Sequence, residues 1–194
     1  MGCDIHMYIE YANKKHLEET RKKKAEGDTE AREYWRSFGG RMNPGRDYWM
    51  FGILSQGVRS DNPNGFPPKG RLDRDELSWG TAEDDYLYIV DEGREPGDNE
   101  TTLERALKWA SGRFPETLVY RDGKPRFVSH PDWHSHSWLT PAEYKKALEL
   151  YQADCDKQGY GYKVPSEYKA ILAALESLES NGENEARVVF WFDN

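Results

Sequence analysis

Near the end of the chain, Val188, Val189, Phe190, Trp191 and Phe192 follow one another without a polar interruption. A β-strand sends alternate side chains to opposite faces, so a run that is apolar at every position needs cover on both sides. Residues 187–192 therefore read as a buried or central strand. The rest of the fold must supply a layer against each face. Residues 3–11 read as a strand of another kind, in which Cys3, Ile5, Met7 and Ile9 share one side and Asp4, His6, Tyr8 and Glu10 share the other.

Further strands are expected at 34–38, closed by Gly39 and Gly40 into a hairpin with the first strand, and at 86–90. A hairpin is expected from 117–120 and 126–129, turned by Asp122 and Gly123. Helices are expected where a cap precedes an apolar stripe. Asp47 opens one through Leu54. Thr101 with Glu104 opens one carrying Leu103, Ala106, Leu107 and Ala110. Thr140, Pro141 and Glu143 open one reaching residue 155, and Ser166 opens one closed by Asn181 and Gly182. The expectation is a single α+β domain over residues 1–194, with a mixed or largely antiparallel sheet and about three to four helices. Residues 12–30 interrupt it. Lysines, arginines and acids crowd this stretch with few apolar residues, so it reads as a charged, solvent-exposed loop or a short helical excursion.

The 35 acidic and 27 basic residues give a formal charge of -8. That balance disfavours general nucleic-acid binding but leaves room for a local basic pocket. No apolar run approaches the ~20 residues that span a bilayer, and no secretory segment is seen. The two cysteines, Cys3 and Cys155, show no spacing that implies a bridge. A cytoplasmic, reduced protein without membrane contact is expected. Seven tryptophans and twelve tyrosines read as an aromatic core, or as rings lining a ligand cleft.

The chemistry-bearing stretch is 132–140. If it is extended, His134 and His136 face one side together with Asp132 and Trp138. Set against Asp4, His6 and Tyr8, they would bring together up to three imidazoles and two carboxylates. Such a set suits a divalent metal such as Zn or Mn, held by Asp4, His6, Asp132, His134 and His136. It equally suits acid–base chemistry without metal, and it also fits histidines that only bond the loop and cap the next helix. Ser135 and Ser137 would point away from the histidines, and no serine-hydrolase elbow is present. Cys3, in the apolar row, reads as an inert core thiol. The irregular stretch 57–71 carries Arg59, Lys69 and Arg71, which would bind a small anionic or nucleotide-like ligand, with Tyr8 and Trp138 as ring partners.

Three stretches carry a resemblance. They are Met1, Gly2, Cys3, Asp4, Ile5 and His6; residues 48–59, ending Gly57, Val58 and Arg59; and residues 132–140, with His134, Ser135, His136, Ser137, Trp138, Leu139 and Thr140. Together they resemble a family of uncharacterised bacteriophage and bacterial proteins, for which no activity is implied. A phage setting would place the protein in the host cytoplasm, in host takeover or counter-defence. Three functions follow as expectations. One is a metal-dependent hydrolase of a small phosphorylated or nucleotide-like compound, with His6, His134 and Arg59 as its catalytic groups. Another is a protein that sequesters a nucleotide-like signal. The third is an inhibitor of a host protein, working through residues 12–30. A homodimer would fit any of them.

Overall fold

The computed structural model describes residues 4–58, 64–159 and 161–193. The chain opens with β1 (Ile5–Asn13), α1 (Lys14–Ala25), β2 (Arg36–Ser37), β3 (Met42–Gly45) and α2 (Tyr48–Leu54). After a 3₁₀ turn at Arg74–Glu76 come α3 (Trp79–Asp85), β4 (Tyr86–Ile89), β5 (Glu100–Thr101), α4 (Leu103–Ala110), β6 (Leu118–Arg121) and β7 (Lys124–Ser129). The last part is β8 (His134–Leu139), α5 (Pro141–Gln158), α6 (Ser166–Glu179) and β9 (Asn184–Phe192). One sheet runs β2-β1-β9-β8, with β3 also paired to β1, and the other runs β5-β4-β7-β6. Among the described residues every pairing is antiparallel except β4 with β5. This is the expected largely antiparallel α+β class, with six helices in the described residues rather than three to four.

The additional helices come from charged sequence. In α1, Asn13 accepts the His16 N–H as a cap, and only Leu17 and Thr20 are buried. Leu17 packs with Ala12 and Trp35, so one leucine docks a helix that is otherwise solvated. The stretch read as a loop or short excursion is therefore a regular helix of 12 residues. In α3 the cap is Ser78, which accepts the Thr81 N–H. Other caps fall where the sequence places them. Asp47 accepts from Trp49 and Met50, and Thr140 and Glu143 form a reciprocal box at α5. At α4 the cap is Thr102 rather than Thr101, because Thr101 is buried in β5.

β9 is central and covered on both faces, as its composition requires. On one face Ile5, Met7, Ile9, Leu139, Val188, Phe190 and Phe192 pack under α2, α5 and α6. On the other face Tyr8, Val189 and Trp191 pack with Leu77, Ala82 and Tyr86 from the α3 and β4 side. The polar row of β1 faces this second layer, so His6, Tyr8 and Glu10 are all buried. No helix among the described residues is long and apolar enough to cross a membrane.

Candidate functional site

The histidine pair of β8 does not share a face. β8 pairs with β9 at His134 opposite Phe192 and at Ser137 opposite Phe190, with a register shift between. Three steps along β8 match two along β9, which is a β-bulge. Ser135 takes a left-handed conformation, φ 53°, at the extra residue. An extra residue turns the following side chains over. His134 accordingly lies on the helix-covered face, its ring 6.3 Å from Phe51 and 6.0 Å from Phe192. His136 and Trp138 lie on the opposite face, with His6 and Tyr8. The expected row of His134, His136 and Trp138 is corrected by this one inserted residue.

What forms on the inner face is a stack centred on Trp191. Its ring lies 5.6 Å from His136 and 6.5 Å from His6, both near parallel. Trp133 continues the stack, 4.9 Å from His6 and 4.2 Å from His130. Each flanking imidazole has its own carboxylate. His6 Nε2 lies 2.9 Å from Asp193 Oδ2, and His136 Nε2 lies 2.8 Å from Asp85 Oδ1. Asp193 is partly buried, which pushes its pKa up. The Asp4 N–H, the His6 bond and the Arg46 charge outweigh that and hold it below the ordinary carboxylate range. Burial pushes the His136 imidazole below its ordinary value, against the pull of Asp85. His130 is lowered for the same first reason.

The two dyads differ in their surroundings. Asp85 also meets Arg71, whose Nε is 3.6 Å away, and Arg71 lies 3.5 Å from Glu116 and donates to the His130 carbonyl. In that set Arg71 keeps one terminal nitrogen buried without a hydrogen-bond partner among the described residues. The His6 dyad sits at the open end of the sheet, where the Asp193 side chain keeps 27 % exposure. An ionised carboxylate can only accept, so His6 Nε2 carries the hydrogen and Nδ1 presents a bare lone pair when the ring is neutral. Among the described residues His6 Nδ1 is buried without a hydrogen-bond partner, and so is Trp191 Nε1. Buried polar atoms are normally paired, and orphans mark places for water or a ligand group.

The remaining expected residues are distributed as follows. Asp4 pairs with Arg46 at 3.4 Å, and Asp132 is exposed, its N–H donating to His130 Nδ1. Tyr8 is buried and donates to Asp84 at 3.2 Å, a contact that with burial pushes its pKa well up. Lys69 bonds Glu143 at 2.8 Å and lies 3.8 Å over the Trp138 ring, so these two expected ligand contacts satisfy each other. Arg71 is likewise engaged internally. Arg59 and Cys3 lie outside the described residues. The expected five-residue metal set is not brought together. Among the described residues no group of three His, Cys, Asp or Glu side chains is arranged to hold a metal ion.

Asp193 and Asp85 were not read from the sequence. Asp193 was within reach of it. Extending the period of two through Arg187, Val189 and Trp191 puts residue 193 on the inner face. Asp85 ends a short helix distant in sequence, and no local pattern aims it at His136. No protein-family model, curated protein or solved structure matches the chain.

Proposed function

We propose that the chain is a metal-independent hydrolase of a small phosphorylated or nucleotide-like compound, with His6 as its proton-transfer group. The observation that carries this reading is the His6 imidazole, fixed through Nε2 on Asp193 while Nδ1 is buried and unpaired among the described residues. Such a nitrogen is a base positioned by a carboxylate. In the proposed step, Nδ1 accepts a proton from a water as the water oxygen bonds to the substrate's phosphorus or carbonyl carbon. The imidazolium, stabilised by Asp193, returns the proton to the leaving group. Asp193 is a positioning residue. The expected metal version has no convergent ligand set among the described residues, so no step is assigned to a metal.

The test is incubation with a panel of nucleotides and sugar phosphates in chelator, with chromatographic detection of products. Turnover should persist in chelator. His6→Gln should lower it by about 10²–10⁴-fold, the usual contribution of a positioned acid–base group. Asp193→Asn should lower kcat more than it raises KM. Turnover unchanged in His6→Gln, or no product from any member of the panel, would overturn the reading. A compound bound tightly and recovered intact after denaturation would instead make the protein a sequestering one.

A further inference from the structure

Across the molecule, Lys69, Arg71 and Arg187 each meet a carboxylate. Arg74 does not. It forms no ion pair among the described residues, and its Nε is buried without a hydrogen-bond partner. Its guanidinium carbon lies 3.8 Å from the Phe127 ring centre and 5.6 Å from that of Trp79. Burial presses its pKa down, and the neighbouring Arg121 charge presses it down further. A guanidinium in this state has capacity for an anion.

Arg74 lines a cleft of about 400 Å³ together with Arg32, Arg121, Asp75, Tyr34 and Trp79. Small-molecule pockets run from roughly 300 to 1,000 Å³. Asp75 is shared by two of the three arginines, 2.6 Å from Arg121 and 3.5 Å from Arg32. Of the acids on the wall, Glu33 is engaged by Arg21 and by the Trp35 indole, and Glu30 is exposed. Trp79 and Tyr34 are each 69 % exposed, large flat rings left open beside the arginines. Guanidinium forks match phosphate oxygens, and an open indole offers a stacking face to any base.

We propose that this cleft binds a nucleotide phosphate, with Arg74 and Arg121 on the phosphate oxygens and Trp79 stacked on the base. The site is independent of the His6 reading and lies elsewhere on the molecule. The same chemistry comes from a free mononucleotide or from a single-stranded nucleic acid. The experiment is isothermal titration of the whole chain with adenosine 5′-monophosphate, adenosine, inorganic phosphate and a short oligoadenylate, at low and high salt. The monophosphate should bind, with adenosine and phosphate each at least about tenfold weaker. Arg121→Ala and Trp79→Ala, both at exposed side chains, should each weaken it about tenfold. Asp75→Asn should tighten it several-fold, because two arginines lose their internal counterion, an effect a merely structural role would not give. His6→Gln should leave the affinity unchanged. Equal affinity for monophosphate and oligomer would identify a mononucleotide site, and a tighter, strongly salt-dependent oligomer would identify a single-strand path. No heat with monophosphate or oligomer at millimolar concentration would overturn the proposal. So would binding indifferent to Arg121→Ala and Trp79→Ala in variants whose denaturation midpoints match the parent.

Discussion

His136 is a histidine held in its neutral form by burial against Trp191, and that has a consequence for stability. The groups facing it are Asp85, Arg71 and Glu116, and the desolvation of the ring outweighs the pull of the two acids. Its pKa in the folded state lies below the ordinary value of 6.5. Between those two values the unfolded chain binds the proton and the folded chain does not, so stability rises with pH through that window. The contribution is complete above about pH 6.5 and is lost as pH falls below it. His130 acts in the same sense, and Asp193, lowered from 3.8, adds a further loss at more acid pH. Urea midpoints should therefore stay high above about pH 6.5 and fall below it. In His136→Gln the fall below about pH 6.5 should be shallower, even though the variant is less stable throughout. An equal slope in variant and parent would show that His136 is not the group responsible. The residue scale also shows what a sequence conveys. His6 and His136 were both picked out by type and spacing, since alternation along an extended segment is visible in one dimension. Their carboxylates come from chain positions 187 and 51 residues away. Only Asp193, through strand periodicity, left a trace.

The element that decides the site is β8, and its bulge rests on Ser135. A residue other than glycine is strained at φ 53°, by roughly 1–2 kcal/mol. Ser135 Oγ lies 2.9 Å from His134 Nδ1, a local bond that offsets part of this cost. Ser135→Gly relieves the conformation and loses that bond, so its stability should be within about 1 kcal/mol of the parent. Ser135→Val combines a branched Cβ with the left-handed conformation and should be less stable than Ser135→Gly by about 2 kcal/mol in urea denaturation. Equal stability of the two variants would mean the chain does not keep the bulge. Strict alternation was the natural reading of residues 132–138, and nothing in the serine announces an inserted residue. Helix α1 was hidden for a different reason. Its apolar stripe is almost a single leucine, so periodicity gave no signal, and Asn13 with Leu17 does the docking. By contrast α2, α5 and the hairpin of β6 and β7 were legible, because their caps and turn residues are local chemistry. Asp47 illustrates how such a cap also serves packing. It accepts two N–H groups of α2 and the Tyr151 hydroxyl of α5 at 3.0 Å. Asp47→Ala should cost about 2 kcal/mol, more than a cap alone, whereas Asp47→Asn, which keeps acceptors, should cost less.

At the scale of the molecule, the layer that packs on the inner face of the first sheet sets a buried ion pair, Glu10 with Arg187, beside its apolar cluster. They are direct partners across β1 and β9, and Glu10 is fully buried. Arg187 reaches Glu10 Oε2 through Nε at 2.9 Å and through a terminal nitrogen at 2.7 Å. It also donates to the Glu76 carbonyl, and its guanidinium lies 3.7 Å from the Trp35 ring centre. The other Glu10 oxygen accepts the Ser78 N–H at 2.7 Å, at the start of α3. One pair therefore fastens the central strands of the first sheet to the 3₁₀ turn and to α3, the helix that ends at Asp85. Glu10→Gln preserves shape and an acceptor for Ser78 but leaves the Arg187 charge without its counterion. Breaking a buried pair in this way costs about 3–5 kcal/mol. Arg187→Met in the same background removes the stranded charge. The double variant should then be more stable than the sum of the single losses by about 2 kcal/mol. Additive losses would mean that the two groups act separately. The location of the damage is a second readout. Hydrogen exchange in Glu10→Gln should rise in α3 and the 3₁₀ turn while α5 and α6, which pack on the other face of the sheet, keep their protection. Loosening spread evenly over both layers would place the fastening elsewhere. Loosening confined to the inner layer would also carry to Asp85 and His136, and so connect the strength of this pair to the geometry of the histidine stack.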